Sequence, residues 1–116
     1  MDQARDRLEM ARQVLALGHL EGAVSAAYYG MLYAARAALS ESEEYARTHG
    51  GTWHLFYQRY VATGAFDERL HSLGQQAQKA REQGDYEAVT PSTEDAQRFV
   101  AAAGEFIDAV ERMLAA

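Results

Sequence analysis

The side chains able to do chemistry gather in three stretches of this sequence. "RTHGGTWHLF", residues 47–56, holds an arginine, two histidines and the only tryptophan. "AYYGMLYAARAAL", residues 27–39, spaces Tyr29, Tyr33 and Arg36 at i, i+4 and i+7, which puts them on one face of a helix. "AREQGDYEA", residues 80–88, adds Arg81, Asp85 and Tyr86. Ten of the eleven basic residues are arginine, whose planar, forked donors suit phosphate or carboxylate. Histidine contributes a group that titrates near neutrality. The chemistry on offer is anion binding with some capacity for proton transfer.

Other chemistries find less support. Glu68 and His71 form an E-x-x-H pair, but di-iron bundles need two such pairs and two more inward glutamates. No second pair occurs, so no metal is expected and His71 reads as an exposed, ion-paired or solvated side chain. His49 and His54 are five apart, about 140° around a helix, and make a poor ligand pair. H-E-x-x-H is absent, and the glycines fit neither the Walker nor the dinucleotide pattern. With no cysteine, thiolate chemistry is excluded. No cofactor is expected.

The formal net charge is −6, which argues against general nucleic-acid binding, because that affinity comes from phosphate neutralisation. A local basic site remains open, whereas sequence-specific DNA binding is not expected. No apolar run approaches a bilayer span, and "MDQARDRLEMARQ" lacks the pattern of a secretory signal. A cytoplasmic protein without membrane contact is the expectation.

The elements that must position these residues read as five helices in one domain, residues 1–116. Only one proline occurs, and no period-two alternation marks a strand. The first helix covers about residues 2–16, with Ala4, Leu8, Ala11 and Leu15 on its stripe. The second runs from His19 to Leu39. Thr48 caps the third, whose stripe is Trp53, Phe56, Tyr57, Tyr60 and Val61. Phe66, Leu70, Leu73, Ala77 and Ala80 mark a fourth that fades at Gly84, leaving Asp85 and Tyr86 just beyond it. Ser92 or Thr93 caps the fifth, which buries Phe99, Val100, Ala103, Phe106, Ile107, Val110 and Leu114. Short connections predict an all-α, up-and-down, mostly antiparallel bundle, with helices one, two, four and five around a shared core.

The series "AxYYGMLYAARAAL", then "THGG" followed by a phenylalanine, then "AREQGDY", then an amphipathic last helix, resembles the small prokaryotic HEPN domains over about residues 20–115. The resemblance implies a helical bundle that forms a homodimer, often encoded beside a minimal nucleotidyltransferase as a toxin and antitoxin pair. Many HEPN proteins are metal-independent ribonucleases. Their signature is an arginine, a polar residue, three more residues and a histidine, given by both subunits to a cleft at the dimer axis. Here Arg81 fits the arginine and Glu82 the polar place, but Tyr86 stands where the histidine would be.

That departure bears on activity. RNA cleavage without metal needs one proton taken and another given, and tyrosine, titrating near about 10, does neither well at neutral pH. His49 is the replacement candidate, at the start of the third helix, where an anion is also favoured; similar HEPN chains hold a histidine there. Arg47 and His54 satisfy an arginine–six residues–histidine spacing, but Arg47 precedes the cap and His54 sits inside the helix. The expectation is a homodimer that binds nucleotide, RNA or a nucleotidyltransferase partner through Arg81, Tyr86 and His49, with weak or no catalysis. Tyr29, Tyr33 and Arg36 would form the partner or dimer face. The alternative is an active RNA endonuclease using Arg81 with His49, Asp85 or Tyr86. A purely structural helical dimer is the third reading.

Overall fold

The apolar stripes resolve into five helices in a computed structural model that describes residues 1–116. They are α1 (Asp2–Ala16), α2 (Leu20–Glu41), α3 (His49–Phe56), α4 (Glu68–Glu87) and α5 (Thr93–Ala115), with no strand. The ends follow local chemistry. At Gly18, φ is +82°, a left-handed conformation that glycine adopts without a Cβ penalty, and the chain reverses there into α2. Thr48 accepts from the Gly51 N–H at 2.9 Å, Asp67 from Arg69 at 2.8 Å, and Ser92, rather than Thr93, from Asp95 at 3.0 Å. Each side chain satisfies one orphan donor of a first turn.

Helix α2 runs through the centre because its buried side is built of small residues. Ala23, Ala27, Ala34, Ala35 and Ala38 are fully buried. A Cβ on Gly30 would stand 3.4 Å from the Ala4 carbonyl oxygen, so glycine lets α1 lie close. Its large buried side chains, Tyr28, Met31, Leu32 and Leu39, meet those of the neighbouring helices, and one continuous apolar cluster joins all five helices. Phe106 of α5 sits within ring contact of Trp53 (5.9 Å), Phe56 (5.7 Å) and Phe66 (4.8 Å). Thus Trp53 and Phe56 anchor α3 in the core that helices one, two, four and five surround, as their stripe predicts. No helix is long and apolar enough to cross a membrane.

Two boundaries differ from the pattern. The stripe of the third helix predicts a buried Tyr57, yet Tyr57 is 38% exposed. From Tyr57 to Val61 the helix widens into a π-turn, closed by Ala62 N–H to the Tyr57 carbonyl at 2.8 Å. Tyr57 packs one side on His71 at 5.3 Å and leaves the other in solvent, while Val61, at the end of the i→i+5 turn, is buried as the stripe predicts. Helix four, in turn, does not fade at Gly84 but continues to Glu87. A mid-helix glycine costs only about 1 kcal/mol relative to alanine, and the Arg81–Asp85 pair spans that turn at 2.8 Å. The left-handed closing position falls instead on Ala88, at φ 55°.

Two stability measurements follow from these placements. Phe106→Ala should cost about 3–5 kcal/mol in a denaturant titration. Ala88→Gly, by removing a Cβ from a left-handed position, should raise stability by roughly 1 kcal/mol; a loss would mean that the α4 end does not close as described.

Candidate functional site

The site is organised by a hydroxyl in the core. Tyr28 of α2 is fully buried, and a buried hydroxyl must find partners. Trp53 Nε1 lies 3.3 Å from it and, as an indole nitrogen, can only donate. The tyrosine oxygen therefore accepts there, and of the two partners only His49 Nδ1, 3.0 Å away, is able to take the buried hydroxyl's proton. Burial, first among the causes, pushes the Tyr28 pKa up to about 12, so the proton stays on the hydroxyl. His49 is correspondingly held neutral, with its proton on Nε2. Its pKa lies below the usual value, first because it is desolvated and then because Arg36 and Arg81 are near, with Glu82 opposing.

Arg81 approaches from α4. Its guanidinium carbon stands 5.5 Å from the Tyr28 ring centroid and 5.4 Å from that of Tyr29, within cation–π range. Nη1 donates to Asp85 Oδ2 at 2.8 Å, while the buried Nε has no hydrogen-bond partner. Only 14% of the side chain is exposed. Gly74 lets the Trp53 indole lie against α4, since a Cβ there would stand 3.0 Å from Trp53 Cη2. On the other side, His49 meets the Tyr29 ring edge to face at 5.8 Å. Arg36 Nε donates to Thr52 Oγ1 at 3.4 Å. Two arginines and a neutral imidazole thus converge on the first turn of α3, in a chain whose net charge is −6.

Of the residues singled out in the sequence, the fold brings Arg81, Asp85, His49, Tyr29 and Arg36 together. Tyr33 lies at the margin, 5.9 Å from Tyr29, with the Arg7 guanidinium 5.5 Å above its ring. Tyr29 and Tyr33 are half-buried within their own chain. Tyr86, although helical, is 80% exposed and joins none of these contacts. Arg47 and His54 are exposed and lie outside the cluster. Tyr28 is the residue that the sequence reading passes over. The signal for it is a hydroxyl-bearing side chain on the core stripe with Val24 and Met31, where any polar atom needs a partner.

His71 corrects an expectation. Instead of an exposed, ion-paired side chain it is 5% exposed, because Trp53, Phe56 and Tyr57 close around its ring at 5.8, 6.3 and 5.3 Å. A carbonyl only accepts, so Nε2 donates to the Trp53 oxygen, 3.2 Å away. Burial lowers its pKa, against opposing effects of that bond and of Glu68. No third carboxylate or imidazole joins Glu68 and His71 as a metal-ligand group.

The helices and this cluster define a class: a small all-α bundle with an arginine-anchored polar site let into its wall, at the start of its shortest helix. The chain belongs to the HEPN domain family, whose model matches residues 1–113. It is 32% identical to a UPF0332 protein of Gloeobacter violaceus, over 99% of this chain and 93% of that one. Identity to a UPF0332 protein of Thermotoga maritima is 28%, over 97% and 86% of the two chains. A protein of Methanocaldococcus jannaschii named "Putative toxin" is 27% identical over 76% of this chain and 60% of its own length.

Two predictions test the wiring. Tyr28→Phe strands the Trp53 N–H and the His49 acceptor, and should cost about 1–3 kcal/mol in a denaturant titration. His49 and His71 both have folded pKa values below 6.5, so just below that pH the unfolded chain binds protons that the folded chain does not. Stability then rises with pH in that window and falls on acidification. Melting temperatures recorded from pH 7 to 5 should decline, and His71→Gln should flatten the decline; an unchanged slope would contradict the assignment for His71.

Proposed function

We propose that this chain is the nucleotide- or RNA-binding member of a toxin–antitoxin type pair. In this reading it is a homodimer that holds a phosphate group at Arg81, Arg36 and His49, acts with a minimal nucleotidyltransferase partner, and cleaves RNA weakly or not at all. The observation that carries the reading is the Arg81 guanidinium, packed against the Tyr28 and Tyr29 rings with Nε unpartnered, beside the first turn of α3. Thr48 takes the Gly51 N–H. The N–H groups of His49 and Gly50, with no intrahelical partners, remain to meet an anion at the positive helix end. Arg36 adds a second fork. The kinship with a protein named as a toxin supports placement in such a pair, and Tyr29, Tyr33 and Arg36 supply the aromatic and arginine content favoured at interfaces.

Cleavage asks for more than binding does. The 2′-hydroxyl must lose a proton and the leaving oxygen must gain one, and a positioned acid or base contributes about 10²–10⁴ in rate. Each protomer offers one imidazole at the cluster, and its Nδ1 is already engaged by Tyr28. Arg81 binds and neutralises charge without exchanging protons. The second reading, an active metal-independent endonuclease, draws on the neutral state of His49 beside Arg81, which suits a general base if the symmetry mate supplies the acid.

Single-stranded RNA, in a chelator-containing buffer, distinguishes the two. Little cleavage is expected, together with RNA binding that weakens about tenfold in Arg81→Ala. Robust cleavage abolished by that substitution would establish the nuclease instead. Sedimentation at micromolar concentration should give twice the 12.9 kDa chain mass; a monomer would remove the homodimer.

A further inference from the structure

A second concave feature lies between α3 and α4, a cleft of about 410 Å³. Trp53, Tyr57, Glu68, His71, Gln75 and Gln78 line it, with His54 and Gly50 at its rim on α3. Its size lies in the range of small-molecule sites. The lining contains no arginine or lysine and one carboxylate, so it does not suit a phosphate. Tyr57 offers exposed π surface, the buried Trp53 indole backs the cleft, and two carboxamides add neutral hydrogen-bonding groups. His71 adds an acceptor, since Nε2 gives its proton to the Trp53 carbonyl and Nδ1 keeps its lone pair. A planar, uncharged heterocycle with hydrogen-bonding edges matches that inventory.

The cleft also adjoins the cluster described above. Gly50 follows His49 on α3, and Gln78 precedes Arg81 by three residues on α4, about 4.5 Å along the axis. Gln78 Nε2 donates to Glu82 at 3.2 Å, and Glu82 is among the charges that act on His49. Trp53 is the shared wall: its indole N–H serves Tyr28 and its carbonyl serves His71.

We infer that the α3–α4 cleft is a nucleobase subsite, receiving an unpaired base whose phosphate sits at Arg81 and His49. The phosphate half of this statement rests on the proposed function; the base half rests on the cleft. Glu68 and His71 Nδ1 are acceptors, and a carboxylate takes the exocyclic amine of cytosine while glutamine pairs with adenine. Amino-bearing bases are therefore preferred over uracil, which presents carbonyl oxygens in the same place.

Trp53 is the only tryptophan, so intrinsic fluorescence of the full chain reports on the cleft. CMP, UMP, cytidine and inorganic phosphate are the probes. CMP should perturb the emission and bind at least about fivefold tighter than UMP, with cytidine weaker but still detected. Tyr57→Ala and Gln75→Ala replace exposed residues, and near-ultraviolet circular dichroism checks their fold. Each should weaken CMP about tenfold and leave competition by phosphate unchanged, whereas Arg81→Ala should weaken both CMP and phosphate. Equal affinity for CMP and UMP, or CMP binding that depends on Arg81 but not on Tyr57 or Gln75, would overturn the base subsite and leave the phosphate site standing. CMP binding that depends on Tyr57 and Gln75, with no contribution from Arg81, would support the cleft and overturn the phosphate reading. No response to any probe would overturn both.

Discussion

A tyrosine hydroxyl has one proton to give, and the organisation of this molecule follows from where Tyr28 gives it. The hydroxyl is fully buried, so leaving it unpaired would carry the cost of a desolvated polar group. Its neighbours settle the direction of the bonds. Trp53 can only donate, so the hydroxyl proton goes to His49. One buried oxygen thereby ties α2 to the first residue and the middle of the short α3, fixes the His49 tautomer, and seats the indole against Gly74 of α4.

The same burial concentrates positive charge in an acidic chain. Arg81 is held by Asp85 at one edge and by two aromatic faces at the other. Arg36 is fastened to Thr52 in the first turns of α3. Because these groups sit in a partly desolvated wall, salt and solvent screen them less than they would screen arginines in open solvent. On the wider surface, by contrast, Arg5 and Arg69 are taken up by acidic partners on α5.

Much of the fold is legible in the sequence because alternating stripes and side-chain caps are local signals. The stripe Ala4, Leu8, Ala11 and the caps Thr48 and Ser92 require no knowledge of the neighbours. What escapes depends on neighbours. The π-turn at Tyr57–Val61 lies inside a stripe that otherwise looks regular. Gly84 continues a helix because the next turn is fastened by an ion pair. His71 is buried only because Trp53, Phe56 and Tyr57 close over it from other turns. In the site, Arg81, His49, Tyr29 and Arg36 announce themselves by residue type. Tyr28 does not, since on a core stripe it reads as packing. Tyr86, attractive by its position in the "AREQGDY" run, points into solvent because the helix rotates it away from the cluster.

The proposed function separates holding an anion from moving protons: the holding is assigned to arginines and helix N–H groups, while the one imidazole of the cluster is already engaged through Nδ1. This separation depends on the direction of the Trp53 to Tyr28 to His49 chain. Long-range ¹H–¹⁵N correlation spectra of the histidine rings at neutral pH read that direction. The account predicts His49 in the neutral form with Nδ1 unprotonated and Nε2 protonated, and a loss of this tautomer preference in Tyr28→Phe. A His49 carrying its proton on Nδ1, or a tautomer mixture indifferent to the Tyr28 hydroxyl, would contradict it.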